Sequence, residues 1–226
     1  MGSSQSAQEE QEYRALAERT GFSLDQIRNL HKRFKHLSHD EETLRKEDFD
    51  EISDLTPNPI RSQIIDAFFD KRNFGGNEVG RVQEIGFREF LTVMSHFRPL
   101  RQNLTEEGIE RIRREKLRFL FNMHDKDSDG TITLDEYRSV VEELLSSSAA
   151  IEIETATAIA DAAMLEVASV TVGEMAPDQV YEGITFEHFL EVIKALILKL
   201  HTLNIVSVTG SSTTTLHEPS TLMLHS

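Results

Sequence analysis

The chain has 226 residues, a formal net charge of −15 and no cysteine. The negative charge argues against nucleic acid as a partner, because phosphates would be repelled, and it favours a cation or a partner with a basic face. The absence of cysteine excludes a disulfide framework, a zinc–thiolate site and a cysteine nucleophile, while 13 phenylalanines are enough to build the core of one large or two small domains.

The N-terminus matches a lipidation pattern. Gly2 follows the initiator methionine and Ser6 lies four positions later, as in N-myristoylated proteins, so we predict acylation at Gly2. The alternative is an ordinary polar N-terminus, because short patterns also occur by chance. We expect residues 1–20 to be flexible, with a short helix as the alternative. The polar start predicts no signal peptide, and without a run of about 18 apolar residues we expect no transmembrane helix.

The next part of the chain has helical patterns separated by turns. Ser23 is a good N-cap, and the apolar residues that follow it predict a helix to about Lys35. Phe49 marks a second predicted helix, which Pro57 closes. Apolar residues predict a third helix over 60–69 and, after a long polar loop, a strand that turns into a fourth helix after residue 85.

The segment Asp125–Glu136 reads as a twelve-residue loop with carboxylates at positions 1, 3, 5 and 12. Gly130 is at position 6, where the chain must turn sharply and a Cβ is expected to clash. Thr131 at position 7 offers its carbonyl, and Thr133 at position 9 can hold a water. This is the oxygen cage that an EF-hand builds around calcium, and the alternative is an acidic turn between two helices. The predicted ligands of one Ca²⁺, for which Mg²⁺ would compete, are Asp125, Asp127, Asp129, Thr131 and Glu136.

A sequence repeat indicates that helix–loop–helix units like the one around this loop occur along the whole chain. The repeated unit consists of an apolar residue, three variable positions, a position-12 residue and an aromatic residue, and it occurs four times. They occupy residues 44–49, 85–90, 132–137 and 184–189. Pairing the first hand with the second would place Leu44 beside Ile85. Pairing the third with the fourth would place Ile132 beside Ile184.

The other three loops lack the calcium ligands. Position 1 is Leu37 in the first loop and Pro177 in the fourth, and neither side chain can bind a metal. The second loop is longer than twelve residues and keeps only Glu89 from the second half of the cage. We therefore predict structural hands in these three places, with calcium in the third alone.

These patterns predict an all-α protein with two lobes of paired EF-hands and a short β pairing between the loops of each pair. The predicted segments are a flexible acylated N-terminus at 1–20, an N-lobe at 21–98, a linker at 99–107, a C-lobe at 108–193 and a divergent, largely disordered tail at 194–226. A basic run leads into the calcium loop at residues 111–118. It is either a localisation or anionic-lipid signal or, as we favour, the solvated face of a helix.

With this register in place, residues 1 to 190 resemble the calcineurin B-like family, and within it the calcineurin B homologous proteins. The matching segments, besides the calcium loop, are Gly21–Ser23 with Ile27, Asn58–Ser62, Phe90–Ser95, Phe97–Pro99, Lys116–Phe121 and Pro177–Phe186. The sequence departs from the family after about Glu191. The resemblance also implies myristoylation at Gly2.

The resemblance implies a non-enzymatic, calcium-binding adaptor that grasps an amphipathic helix. The implied target is the cytoplasmic juxtamembrane tail of a plasma-membrane sodium/proton exchanger, whose maturation and surface stability the adaptor would promote. It further implies inhibition of calcineurin phosphatase, and a location in the cytoplasm, on the cytoplasmic face of the plasma membrane and in the nucleus. The alternative is a passive calcium- or magnesium-binding protein without a helix target. We find no zinc, phosphate-loop or serine-nucleophile motif, so we predict no enzyme.

Overall fold

The computed structural model describes residues 2–76, 78–99, 104–146, 153–171, 181 and 183–194. They fall into two compact units, one up to Ile109 and one from Glu110 on. Helices and one two-stranded sheet make up the regular structure of these described residues. This confirms the predicted all-α fold class with its short β pairing. The predicted segment boundaries stay a prediction, and the tail from residue 195 lies outside the described residues.

The elements follow the order expected for helix–loop–helix units. The α-helices are α1 Gly2–Thr20, α2 Leu24–Leu37, α3 Arg61–Phe68, α4 Phe87–His96, α5 Glu106–His124, α6 Leu134–Ser146 and α7 Ile153–Thr171. The 3-10 helices are Lys46–Glu51, Ser53–Leu55 and Lys71–Phe74. The strands are β1 Thr131–Ile132 and β2 Ile184–Thr185, and residues 186–194 are helical. No helix among the described residues is both long and apolar enough to span a bilayer.

The start of α2 is set by a capping box. Ser23 Oγ accepts from the Gln26 backbone N–H at 3.2 Å, and Gln26 Oε1 accepts from the Ser23 N–H at 2.9 Å. The apolar stripe predicted from the sequence is the face that α2 buries. The helix ends at Leu37, which is also buried, two residues later than predicted.

The N-terminal residues, predicted as a flexible segment in which a short helix could form, make the helix α1. Tyr13, Leu16 and Thr20 recur at spacings of three and four and are buried against α2 and α4. The Tyr13 hydroxyl donates to Glu9 at 2.6 Å and makes a short hydrogen bond with His31 of α2. So few apolar residues give little periodic signal, yet they are enough to dock a helix whose other faces are polar.

The segment around Phe49 also differs from the prediction, because it is a 3-10 helix and not an α-helix. The segment is only six residues long, and the Asp48 carboxylate accepts from the Arg45 N–H at 2.7 Å, which tightens its first turn. Phe49 is nevertheless fully buried, with its ring centroid 4.9 Å from that of Phe68. Phe49 therefore belongs to the core, but the prediction of an α-helix around it was wrong.

The predicted contact between the first two hands is present. Leu44 and Ile85 form an antiparallel bridge, with N–O distances of 2.8 and 3.0 Å between their backbones. Both side chains are buried with the phenylalanine rings of the N-lobe core. The pairing prediction is thus confirmed for the N-lobe.

A surface clasp reinforces that bridge. Glu84, one residue before Ile85, accepts from Arg45 at 2.7 Å and from Thr43 Oγ1 at 2.9 Å. The hydrogen bond from Arg45, followed by that from Thr43, lowers the pKa of Glu84. A carboxyl group whose pKa is lowered by folding stabilises the protein above its unfolded pKa, and this contribution is lost as the pH falls through the folded pKa.

We therefore expect Glu84→Gln to lower the urea midpoint of the N-lobe slightly at about pH 7, and we expect the difference from wild type to shrink as the pH is lowered towards about 3. Urea unfolding curves at the two pH values test this. Because Glu84 is exposed, the effect is small. A difference that stays constant or grows on acidification would show that the clasp acts through something other than the ionised carboxylate.

The C-lobe core includes Ile132, a residue of the predicted calcium loop. Phe121, Ile132, Met164, Ile184, Phe186 and Leu190 form one buried cluster. Part of the basic run packs on this core. The Arg118 guanidinium lies 3.2 Å from the Phe186 ring centroid, and Arg114 pairs with Glu187 at 2.7 Å. These contacts favour the interpretation of the basic run as a helix face.

Candidate metal centre

The predicted calcium loop joins α5 to α6. Asp125 directly follows the last residue of α5 and is fully buried, whereas Asp127 is exposed and Glu136 is half-buried. Glu136 lies in the first turn of α6. The two helices therefore bring carboxylates to the loop from both of its ends.

Hydrogen bonds from backbone N–H groups to aspartate side chains stabilise the turn in the first half of the loop. Asp125 Oδ2 accepts from the Gly130 N–H at 3.1 Å, and Asp127 Oδ1 accepts from the Asp129 N–H at 3.1 Å. Asp129 Oδ1 accepts from the Thr131 N–H at 2.7 Å. Aspartate side chains commonly bond to the backbone two residues later, so this sequence favours the turn by local chemistry.

Glu136 reaches back over the loop. Its Oε1 accepts from the backbone N–H of Lys126 at 2.6 Å and from that of Asp127 at 3.3 Å. Its Oε2 accepts from the N–H and hydroxyl of Thr133, at 2.9 and 3.0 Å. Both carboxylate oxygens are thus held at the centre of the loop, where a bidentate ligand is required.

The structure brings three of the four predicted carboxylate ligands together. Asp125, Asp127 and Glu136 each offer a carboxylate oxygen, and these oxygens lie within 4.8 Å of one another. Asp129 does not belong to this cluster, and its Oδ1 accepts from the Thr131 N–H. The roles of all five residues as ligands stay a prediction.

The glycine of the loop is required by its backbone conformation. Beyond its chain neighbours, a Cβ at Gly130 would have no atom within 4 Å, so any clash is confined to the turn itself. Gly130 has a φ of +93°, a conformation that residues with a side chain rarely adopt. Ser128 also has a positive φ, of 65°. The backbone of the loop therefore makes its turn through left-handed conformations.

This donor set fits a hard divalent cation. Three carboxylates held this close repel one another, and a cation between them would relieve the repulsion. The donors are all oxygens, which suit Ca²⁺ and Mg²⁺ and do not favour softer metals. Burial, together with the positive charge of Lys126, lowers the pKa of His124, the residue before the loop.

The third loop pairs with the fourth as the repeat predicted. Thr131 lies opposite Thr185 and Ile132 lies opposite Ile184, in antiparallel register. Gly183, with a φ of +150°, precedes β2 closely enough that a Cβ there would lie 2.5 Å from the Ile132 carbonyl oxygen. The pairing prediction is therefore confirmed for the C-lobe as well. The start of the fourth loop, including Pro177, lies outside the described residues.

Sequence reasoning missed where the second hand begins. Counting back from Ile85 pointed to Glu78, but the structure has a buried acid, Asp70, two residues after the end of α3. Gly75 follows Asp70 by five residues and has a φ of +78°, just as Gly130 follows Asp125 by five residues. This shared acid-to-glycine spacing was the available signal. It was overlooked because extra residues separate Gly75 from Ile85.

The chain has two lobes of paired helix–loop–helix units, and the third unit carries a complete acidic loop. These features define an EF-hand protein. The chain is 60% identical to calcineurin B homologous protein 3 of Xenopus tropicalis over 192 residues, 84% of this chain and 90% of that protein. It is 56% identical to the human protein of that name over 203 residues, 89% of this chain and 94% of the relative. It is 30% identical to a type 2 calcineurin B protein of Dictyostelium discoideum over 149 residues, 66% of this chain and 71% of that protein. No family model matches the chain.

The chain therefore belongs to the calcineurin B homologous proteins, which are regulatory proteins of the EF-hand class. This membership agrees with the prediction that the chain is not an enzyme.

Proposed function

We propose that the chain is a tescalcin-like regulatory adaptor that binds one Ca²⁺ through its third hand and holds an amphipathic helix of a plasma-membrane sodium/proton exchanger. The observation that carries this proposal is the cluster of Asp125, Asp127 and Glu136 at the junction of α5 and α6. In the same family context, we propose that it promotes exchanger maturation and surface stability and competes for the calcineurin catalytic subunit, which would inhibit the phosphatase.

Glu136 is the residue that would couple ion binding to the shape of the C-lobe. It belongs to the first turn of α6, and its carboxylate bonds to the loop on the far side of the cluster. A bound calcium ion would supply the positive charge that the three carboxylates lack. Tightening of Glu136 onto the cluster would then move α6 relative to α5, which is how sensor EF-hands change their exposed apolar surface. An all-oxygen cage with four acids suggests an affinity of about 10⁻⁷ to 10⁻⁵ M, with Mg²⁺ as the resting competitor.

The C-lobe offers apolar surface for a helix. Leu144 on α6 and Ile159 and Leu165 on α7 are large apolar side chains exposed to solvent, and Leu165 is 67% exposed. Amphipathic helices bind by laying their apolar face on such surface. The acidic net charge of the chain would favour a target helix with basic flanks.

We also propose acylation at Gly2, the first residue of α1. A single myristoyl chain binds membranes only marginally, so the second contact with the membrane would come from the exchanger itself. We propose that the adaptor is located in the cytoplasm and on the cytoplasmic face of the plasma membrane, with the nucleus as a further location.

Calorimetric titration of an exchanger juxtamembrane peptide tests the proposal, with calcium or with chelator, in excess magnesium. We expect binding at least about tenfold tighter with calcium, the size of a typical coupling between two sites. Equal binding in both conditions would make the chain a constitutive subunit whose calcium site is secondary. No binding in either would reject the exchanger helix and favour a passive ion-binding protein.

A matched pair of variants tests whether the C-lobe surface is the one that binds. Leu165→Glu should weaken peptide binding, because it puts a charge on the apolar surface. Val79→Glu makes the same change at a residue of the N-lobe that is similarly exposed, at 64% against 67%. Equal effects of the two substitutions would show that the peptide does not use α7.

A further inference from the structure

The second hand contains an ion pair between Arg72 and Asp70. Asp70 is buried and accepts from the Arg72 side chain through both carboxylate oxygens, from Nη2 at 2.6 Å and from Nε at 3.0 and 3.1 Å. The Arg72 backbone N–H also donates to Asp70 Oδ1 at 2.9 Å. The Arg72 side chain is itself only 13% exposed, so the ion pair is largely shielded from solvent.

This ion pair lies at the position of the second hand that corresponds to the expected calcium position in the third hand. Asp70 and Asp125 are both buried acids at the first loop position, and both precede a glycine of positive φ by five residues. The residue two positions after the first acid is Asp127 in the third hand and Arg72 in the second. The third loop thus presents carboxylates to one another, whereas the second presents a carboxylate to a guanidinium.

The first hand shows a related arrangement. The Lys35 ammonium, near the end of α2, donates to the carbonyls of Asp40 and Glu41, both at 3.2 Å, and to the Glu42 carboxylate at 2.9 Å. Lysines near helix ends often bond to carbonyls of the last turn, so this contact alone would be ordinary helix capping. Here, however, the carbonyls that it binds belong to the loop after the helix.

We infer that Arg72 is the built-in counter-cation of the second hand, occupying the place of a metal ion, and that the N-lobe therefore keeps its paired-hand structure without calcium. The guanidinium already bonds to both oxygens of Asp70, so a metal ion would have to displace it and leave a positive charge in a shielded site. The inference goes beyond the proposed function and does not depend on calcium in the third hand or on any partner.

The bonds around the ion pair explain how it holds the loop. Lys71 N–H donates to the Gly80 carbonyl at 2.9 Å, and Val82 N–H donates to the Phe69 carbonyl at 2.9 Å. These two bonds make up the antiparallel bridge between Asp70 and Arg81, which closes the extra residues of the loop onto the end of α3. If Arg72 lost its charge, Asp70 would be left as an uncompensated buried charge at the base of this closure.

Hydrogen exchange of the full-length chain in chelator tests the inference, read from peptides that span residues 61–99. Arg72→Met removes the charge and keeps an extended apolar stem, and it should lower protection by about 100-fold, as expected when one partner of a buried ion pair is removed. Arg72→Lys keeps a cation and should lose much less. In an Asp70→Asn background, Arg72→Met should cost only a few-fold, because no buried charge remains.

Equal losses for Arg72→Met and Arg72→Lys, or an undiminished loss in the Asp70→Asn background, would overturn the inference. Should Arg72→Met fail to fold alone, the double variant decides: recovery of its fold supports the ion pair, and its failure overturns it. In a Glu136→Gln chain, added calcium should leave these peptides unchanged. Calcium-dependent protection there would show that the second hand binds metal. None of these results depends on whether the exchanger peptide binds.

Discussion

Glu136→Gln is expected to lower the calcium affinity of the chain by about 100-fold, or about 2.7 kcal/mol of binding free energy. Both oxygens of Glu136 are held at the centre of the loop by the N–H groups of Lys126 and Thr133. An amide can offer only one oxygen, and its NH₂ group would face either those N–H donors or the ion. The substitution therefore removes one ligand and places a donor where an acceptor is needed.

Competition titrations with a calcium chelator measure this change directly. Asp135→Asn is the matched control, because it removes one negative charge from the neighbouring residue, whose exposed carboxylate pairs with Arg138 outside the cluster. The control should retain nearly the wild-type affinity. If Glu136→Gln and Asp135→Asn behaved alike, the acidic loop would act through general charge, and Glu136 would not be a ligand.

The second large effect is expected from Gly183→Ala, which should destabilise the C-lobe by about 2–4 kcal/mol. The new Cβ would lie 2.5 Å from the Ile132 carbonyl oxygen and 2.7 Å from Thr131 Cγ2, and the φ of +150° is itself unfavourable for alanine. The backbone oxygen cannot rotate away as a side chain can. The strain must instead separate β2 from β1, whose two residues are part of the calcium loop.

Urea unfolding in chelator, followed by a probe in the C-lobe, measures that loss without the contribution of bound metal. Gly76→Ala is a suitable control, since the nearest atom to a Cβ there is 4.0 Å away and no positive φ is involved. A stability of Gly183→Ala close to that of Gly76→Ala would mean that the strand contact is not fixed in solution.

The strand pairings could be predicted from the sequence because the repeat fixes their register. Once position 8 of each hand is assigned, Ile132 can face only Ile184, and Leu44 can face only Ile85. The complete acidic loop was found for the same reason, since its carboxylates and glycine follow one fixed spacing. Such patterns report local geometry that does not depend on distant contacts.

Other features depend on tertiary contacts and gave weak signals. Helix α1 has few apolar residues, and its docking relies on Tyr13 and Leu16 meeting partners from α2 and α4. The first acid of the second hand was missed because extra residues shift it out of the twelve-residue count. The role of Arg72 could not be read from spacing at all, because it depends on a side chain folding back onto the residue two positions before it.

The docking of α1 also bears on where a lipid at Gly2 could go. Gly2 lies eleven residues before Tyr13 in one continuous helix, a distance of about 16 Å along the helix axis. An acyl group at that end would be carried on a stiff arm and not on a loose tether, so its reach would be nearly fixed in length and direction. The angle at which the N-lobe faces a bilayer would then follow from the axis of α1.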